Sequence, residues 1–468
     1  MKISSGYAGV VLLLLAGCTV GPDYRSPEMK LPAKYSESKA QLSQSTTLHP
    51  WWTAFRDKRL NALVEEGLAQ NLDVMSALER IVVARENVVL AAAGGLPQID
   101  KSASAIGSGD LKRASKSELT LSTGVGGSWV LDFFGQYKRA KEAASANLDA
   151  SYNDVNVAKL VFLSDLTVSY VELRFAQQNI ALQRQNLESR RTTLKLVKDM
   201  RAGGQSTRLD EVRAEGLVNQ TLSEIPTLET DFHTAANHIA TLLGVPAATL
   251  TTKLSRGGGQ PSPRYATKIG VPADLIRNRP DIRSAERQLA AATAQIGVSE
   301  AQLYPTISLG GTVDGTRVIS NSASKGLLPW SFGPSLTLPI FDGNARQARV
   351  KIARSLAEQQ LIVWKQAVLG AIEEVETAQI AVHRDYQTIS AIDKVIASST
   401  DALALSRESY KGGTTTLLDI LDAERNLASA RITRANAVRQ LSLDYISLNV
   451  AIGGGAEIGT DPKLVSTN

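Results

Sequence analysis

Asp419 and Asp422 stand three positions apart in the last helical stretch of the chain, so they share one helix face. They flank Ile420 and Ala423 without joining that apolar seam, which leaves both carboxylates free to face water. Around a three-fold axis they would stack as two rings of three acids. Such rings favour cations, and crowded carboxylates raise one another's pKa. The spacing by itself favours a plainer reading, a pair of exposed surface acids. Little else in the chain suits chemistry. The four histidines, His49, His233, His238 and His383, form no zinc signature, and His233 and His238 are five apart, off a common helix face. No acid pair is placed for proton transfer, and no glycine-rich phosphate loop follows a strand. Four methionines give no sign of a copper-handling lining. The chain is expected to be no enzyme and to hold no metal.

Cys18 is the only cysteine. Lys2 supplies a positive start, and Val10–Leu15 is an apolar run too short to span a bilayer, as in a signal peptide. Leu15-Ala16-Gly17-Cys18 follows, a bacterial lipobox pattern, so residues 1–17 read as a lipoprotein signal peptide and Cys18 as the lipid attachment. Acyl chains and a diacylglycerol on that cysteine would anchor firmly. Thr19, in place of an aspartate, favours sorting to the outer membrane. Lys and Arg total 51 against 46 Asp and Glu, interspersed, so no nucleic-acid stripe is present. No other segment approaches the roughly 20 apolar residues of a membrane helix.

These residues are positioned by a chain written twice. Residues 196–220 align without a gap on 405–429: Gly203-Gly204 falls on Gly412-Gly413, Asp210 on Asp419, and Ala214-Glu215 on Ala423-Glu424. Residues 71–84 meet 279–292 in the same way. Such a repeat is too long for a solenoid unit and implies two copies of one module. The first copy spans 59–254, with strands over about 99–134 and a coiled-coil hairpin over about 136–244. The second spans 273–454, with strands over about 305–341 and a hairpin over about 343–453. Residues 18–58 form a tether and equatorial segment, 255–272 a linker, and 455–468 a tail.

The strand signal is an alternation of period two. Leu119, Leu121, Val125, Trp129 and Leu131 interleave with Thr120, Ser122, Gly124, Gly126 and Ser128, and Ile307–Asp314 and Ser331–Ile340 repeat the pattern. Four strands per chain are too few to close a membrane barrel, and an open edge in lipid is not viable. Three chains in cyclic symmetry would pool about twelve. Each strand pair precedes a proline-free helix ending at a double glycine, suited to a helix cap. Pro226 predicts a kink or offset in the helix that follows the first tip. The fold class expected is α+β: a trimeric, shared twelve-stranded β-barrel continued by a long α-helical coiled-coil barrel, with an internal tandem repeat.

PDYRSP after the lipobox, WWTAFRD (51–57), LDFFGQ (131–136), IRNRPDI (276–282), LYPTISL (303–309), LPIFDG (338–343) and LLDILDAERNL (417–427) resemble the TolC-family outer-membrane factors, in their lipoprotein branch of OprM/NodT-like efflux proteins. The resemblance covers nearly the whole mature chain. It implies a homotrimer in the outer membrane, reaching into the periplasm, that meets a periplasmic adaptor and an inner-membrane pump, often of the RND type. It implies an exit duct for drugs, metals or other solutes. It places the periplasmic gate at Asp419, Asp422 and Leu418, and a gate latch at Tyr410 and Asp210. The family's latch arginine is Thr415 here, with Arg208 a nearby basic substitute. Gly203, Gly204, Gly412 and Gly413 become the tips that meet the adaptor. Two other readings stay open: a duct for type I protein secretion, and a periplasmic coiled-coil scaffold, against which the two-faced strands argue.

Overall fold

The computed structural model describes residues 19–32, 50–110, 113–263, 278–320 and 323–456. The signal peptide, Cys18, the stretch 33–49 with His49, linker residues 264–272 and tail residues 457–468 lie outside the described residues. The chain forms two compact units. One contains Glu79–Asn153 and Arg283–Ala367 with the described residues up to Met29. The other contains the described residues of Lys30–Leu78, Asp154–Ile282 and Val368–Asn468.

In chain order, a short 3-10 turn (Trp51–Phe55) precedes α1 (Lys58–Gln70), α2 (Leu72–Ala93), β1 (Gln98–Asp110), β2 (Arg113–Leu131), α3 (Gln136–Ala202), α4 (Arg208–Leu242) and α5 (Ala247–Leu254). Then follow α6 (Pro280–Ala301), β3 (Thr306–Ser320), β4 (Ala323–Leu327), β5 (Trp330–Thr337), α7 (Ala345–Lys411) and α8 (Leu417–Ala451). The halves present matching lengths: α2 and α6 have 22 residues each, α3 and α7 have 67, and α4 and α8 have 35. A 67-residue helix is about 100 Å long. α4 runs unbroken through Pro226. Among the described residues no helix is long and apolar enough to cross a membrane.

The sheet of the first unit is antiparallel, with β1 beside β2, β2 beside β3, and both β4 and β5 beside β3. β4 and β5 are one strand in two pieces. β4 pairs with Thr316–Ser320 and β5 with Thr306–Val313, and Leu328-Pro329 breaks the ladder between them. Pro329 has no N–H to give, so pairing survives there only as Asp314 N–H donating to the Pro329 carbonyl at 2.9 Å. The alternation that extends to Ile340 in the sequence overruns the strand, which ends at Thr337, two residues before Pro339. Pro334 is tolerated because β5 is an edge strand.

Register assigns the faces. Leu119 pairs with Ile319, Val125 with Val313, Trp129 with Leu309, and Val313 with Trp330, so these apolar side chains share one face. Val125, Val313, Trp330, Phe332 and Leu336 are all exposed on the single chain. Lys101 and Arg317 fall among them. The opposite face carries Ser122, Gly124, Asp314, Thr312 and Ser331, with the Thr312 and Ser331 hydroxyls 3.0 Å apart. β1 on one side and β4/β5 on the other leave unpaired edges.

The second unit has the larger core. Trp51, Trp52 and Phe55 pack with Phe162, Leu166, Tyr170, Ile239, Leu441 and Tyr445. This is the work of WWTAFRD. The Trp51 indole N–H donates to the Gly454 carbonyl at 3.0 Å. Asp57 caps α1 by accepting the Arg59 and Leu60 N–H groups, and its other oxygen accepts the Tyr170 hydroxyl at 2.5 Å. Arg174 donates to that same hydroxyl. Burial, then the hydrogen bond to Asp57, pushes the Tyr170 phenol far above its ordinary pKa. Asp57→Ala removes the cap and the acceptor together. We expect a loss of about 3 kcal/mol, about 1 from the cap and about 2 from the orphaned hydroxyl and guanidinium, read as a lower denaturant midpoint.

The seam of α8 slips once. Ile420, Leu427, Leu441 and Leu448 are buried, but Arg434, the same heptad position, is exposed and pairs with Asp393 at 2.5 Å. Ala435 and Val438 carry the buried face there instead.

Candidate functional site

The two hairpin ends of the second unit are built alike. At the first, Gly203 N–H donates to Asp199 and Gln205 N–H to Met200, while Gly204 takes φ 74°, a left-handed cap suited to glycine. At the second, Gly412 N–H donates to Glu408 and Thr414 N–H to Ser409, with Gly413 at φ 71°. Each return helix opens with a capping box. Thr207 and Asp210 form one, and Thr416 and Asp419 the other.

That geometry changes how the acids read. Asp419 is not a bare carboxylate, since its Oδ2 accepts the Thr416 N–H and hydroxyl, each at 2.8 Å. The Thr416 hydroxyl, then its backbone N–H, holds the Asp419 carboxyl below the ordinary value, opposite in direction to the rise expected of crowded acids. Asp422 is exposed and accepts from Arg425 at 2.8 Å one turn on. Leu418 is half-exposed at 50%. All three stand at the opening turns of α8, beside the tip.

Tyr410 and Asp210 do not touch. The Tyr410 hydroxyl donates to Ser206 Oγ at 3.4 Å, and Ser206 donates to Asp210 Oδ2 at 3.4 Å, so a serine stands between them. The Thr207 hydroxyl is the main cause that lowers the Asp210 carboxyl. Thr415 supplies nothing to this chain of bonds, because its buried hydroxyl has no partner. Arg208 does not fill the gap either. It pairs at 2.7 Å with Glu211.

Four charged residues at these tips escaped the sequence reading. Glu211 is buried at 8% exposure in an apolar helix position and takes ion pairs from Arg201 and Arg208. Glu424 is buried at 5% and accepts from Arg407 at 2.6 Å. The signal was present in the alignment of the halves. Arg201 and Glu211 fall on Tyr410 and Ile420, a matched exchange of an apolar pair for a charged one. Around Tyr410 and Ile420 the second tip has an apolar cluster with Val197, Leu403, Leu417, Ala423 and Leu427.

Higher on the same helices, Asp385 of α7 faces Asp444 of α8. Burial, then the hydrogen bond and charge of Asp444, pushes the Asp385 carboxyl up to about 7. Its buried Oδ2 has no donor if both acids are charged, and protonation lets it donate instead. The folded chain therefore binds this proton more tightly than the unfolded chain, whose aspartate titrates near 4. Stability falls as pH rises from about 4 to about 7 and is flat above. Asp385→Asn should flatten that slope in thermal melts taken across the range.

In the first unit the residues after Cys18 are pinned beside the β2–α3 junction. Val20 N–H donates to the Phe134 carbonyl at 3.2 Å, Lys138 Nζ reaches Thr19 Oγ1 at 3.1 Å, and the buried Arg139 donates to Val20 O, Gly21 O and Asp23. Among the described residues no group of acids, histidines and cysteines is placed to hold a metal.

The chain is similar to known outer-membrane proteins. The family model described as "Outer membrane efflux protein" matches residues 63–245 and again 271–454. Nodulation protein T of Rhizobium leguminosarum bv. trifolii is 47% identical over 447 residues, covering 95% of this chain and 96% of that protein. Cation efflux system protein CusC of Escherichia coli O6:H1 is 30% identical over 451 residues, covering 95% and 97%. The solved outer-membrane channel OprN superposes with a TM-score of 0.83 at 32% identity, covering 94% of this chain and all of that one.

Proposed function

This chain belongs to the outer membrane efflux protein family, and on that premise we propose that it is the outer-membrane exit duct of a tripartite efflux system, passing small solutes without chemistry of its own. The observation that carries the reading is the sheet. It offers lipid an exposed apolar face, keeps hydroxyls, glycines and Asp314 on the other, and has two open edges. Those edges are satisfied in a bilayer only by closure with further copies. Three chains pool about twelve strands into one barrel, a homotrimer in which the matched halves are tandem copies of one module.

The long hairpins then extend into the periplasm and end at Gly203-Gly204 and Gly412-Gly413, where a periplasmic adaptor docks and an inner-membrane pump, of the RND type, drives transport. Asp419, Asp422 and Leu418 form the gate, and Tyr410 with Asp210, bridged by Ser206, forms part of its latch. A covalent lipid on Cys18 is the one attached group. Thr19 at the β2–α3 junction would hold that anchor where strand passes into helix. Purified wild-type protein in a planar bilayer should give discrete, cation-preferring conductance steps. A folded, bilayer-inserted trimer that carries no current would sink the duct.

A further inference from the structure

Arg317 is a cation on the face of the sheet that Val125, Val313 and Trp330 make apolar. It is exposed, level with Leu121 of β2 and, through it, Ala105 of β1. Beside it the face is hollow. Ala103, Thr123 and Gly315 form a row of small residues. Val125 and Val313 stand on one side of that row, Leu121 and Arg317 on the other. Leu328 closes one end, its Cδ1 3.7 Å from where a Cβ on Gly315 would lie. The result is a trough of about 760 Å3. Its walls are about 13 Å apart between row centres, and it crosses three strands, about 10 Å. Among the described residues that line it, Arg317 alone is charged.

The depth of the trough follows from the chain path. β2 runs into α3, β3 follows α6 and β5 precedes α7, so the helices join the sheet at one end and the β1–β2 and β3–β4 turns lie at the other. With the helices in the periplasm, the turns face outward. Leu119 and Ile319 form the next row toward those turns, and beyond Leu119 the sequence of β2 becomes polar with Glu118, Ser117 and Lys116. Arg317 thus stands one row inside the outer limit of the apolar belt. One row is about 7 Å of strand, or about 5 Å of depth at the usual tilt of a barrel strand. An arginine in hydrocarbon is costly at mid-bilayer and nearly neutral close to the interface, where its long stem lets the head reach polar groups.

We propose that this trough is a lipid site for a phosphorylated glycolipid of the outer leaflet, of the lipid A type. One acyl chain lies over Ala103, Thr123 and Gly315, and Arg317 holds a headgroup phosphate of the same molecule. The planar guanidinium fork matches a phosphate with two parallel hydrogen bonds, and small residues leave the chain a bed that a smooth apolar wall lacks. Charge complementarity and continuity with the apolar face select this occupant. The turnward position of Arg317 selects the outer leaflet. The site rests on the exit-duct reading, which turns this face to lipid, and a three-fold assembly holds three of them.

The test is native mass spectrometry of the delipidated full-length trimer, given bisphosphorylated lipid A, its dephosphorylated form or phosphatidylglycerol. Wild type should retain lipid A, one per chain at saturation, in preference to the other two. Arg317→Gln removes the phosphate contact and leaves the trough. Gly315→Ile fills the trough and leaves the arginine, and a Cβ there meets Thr123 and Leu328 only at ordinary contact distances of 3.5 and 3.7 Å, so folding is spared. A hydrogen bond to a charged group is worth about tenfold or more, so Arg317→Gln should weaken lipid A retention about tenfold. Gly315→Ile should weaken it too, and both variants should insert and conduct as wild type does. Undiminished retention in both variants, equal retention of the dephosphorylated form, or preference for phosphatidylglycerol overturns the site. Wild-type trimers that conduct yet retain no lipid A overturn the site and leave the duct standing. Trimers that neither insert nor retain lipid overturn both.

Discussion

A channel carrying Asp419→Asn and Asp422→Asn is expected to conduct several-fold more current than wild type and to lose most of its preference for cations. Asparagine keeps the side-chain oxygen that Thr416 uses at the start of α8, so the cap survives while the charge goes. At Asp422 the change also frees Arg425, whose pairing at 2.8 Å otherwise neutralises it. The tip then turns from acidic toward basic, and selectivity should fall further than loss of acids alone would bring. Stability should barely move, since exposed pairs one turn apart are worth about 0.3–0.5 kcal/mol. The check is a reversal potential under a salt gradient, with single-channel amplitudes. Unchanged selectivity in both single and double variants would place the constriction elsewhere.

The second large effect belongs to the sheet. Val313→Arg puts a cation between Val125 and Trp330 on the apolar face. A cation at mid-bilayer costs about 2–4 kcal/mol, and a three-fold assembly bears that cost three times. Outer-membrane trimers should be lost, read as disappearance of the heat-modifiable band from membrane fractions. Thr312→Arg, one residue away on the opposite face, should leave the trimer inserted and change only conduction. If the two variants insert equally well, the apolar face does not meet lipid.

Much of this molecule is legible as periodicity. The alternation around Leu119–Leu131 lies in β2, and the long proline-free stretches lie in α3 and α7, because strand and helix patterns repeat in sequence at fixed spacing. The glycine pairs and threonine starts mark both tips because caps are local. Pattern failed where pairing partners are distant. Nothing near Pro329 in sequence says that β3 bridges the break it makes, and nothing in α8 alone tells that Arg434 lets the seam step aside.

The sequence by itself determined the elements, the two faces of the sheet and the family, since each depends on residue type at short spacing. Only tertiary structure decided what the charged groups do. The family resemblance reads Asp419 and Asp210 as gate and latch, yet each also caps its own helix, and Ser206 stands where a direct contact was expected. Arg407 and Glu424, 17 residues apart, meet Ser189 and Thr193 more than 200 residues away. Burial and hydrogen-bond partners are set by packing between distant helices, and a charge takes its role from them.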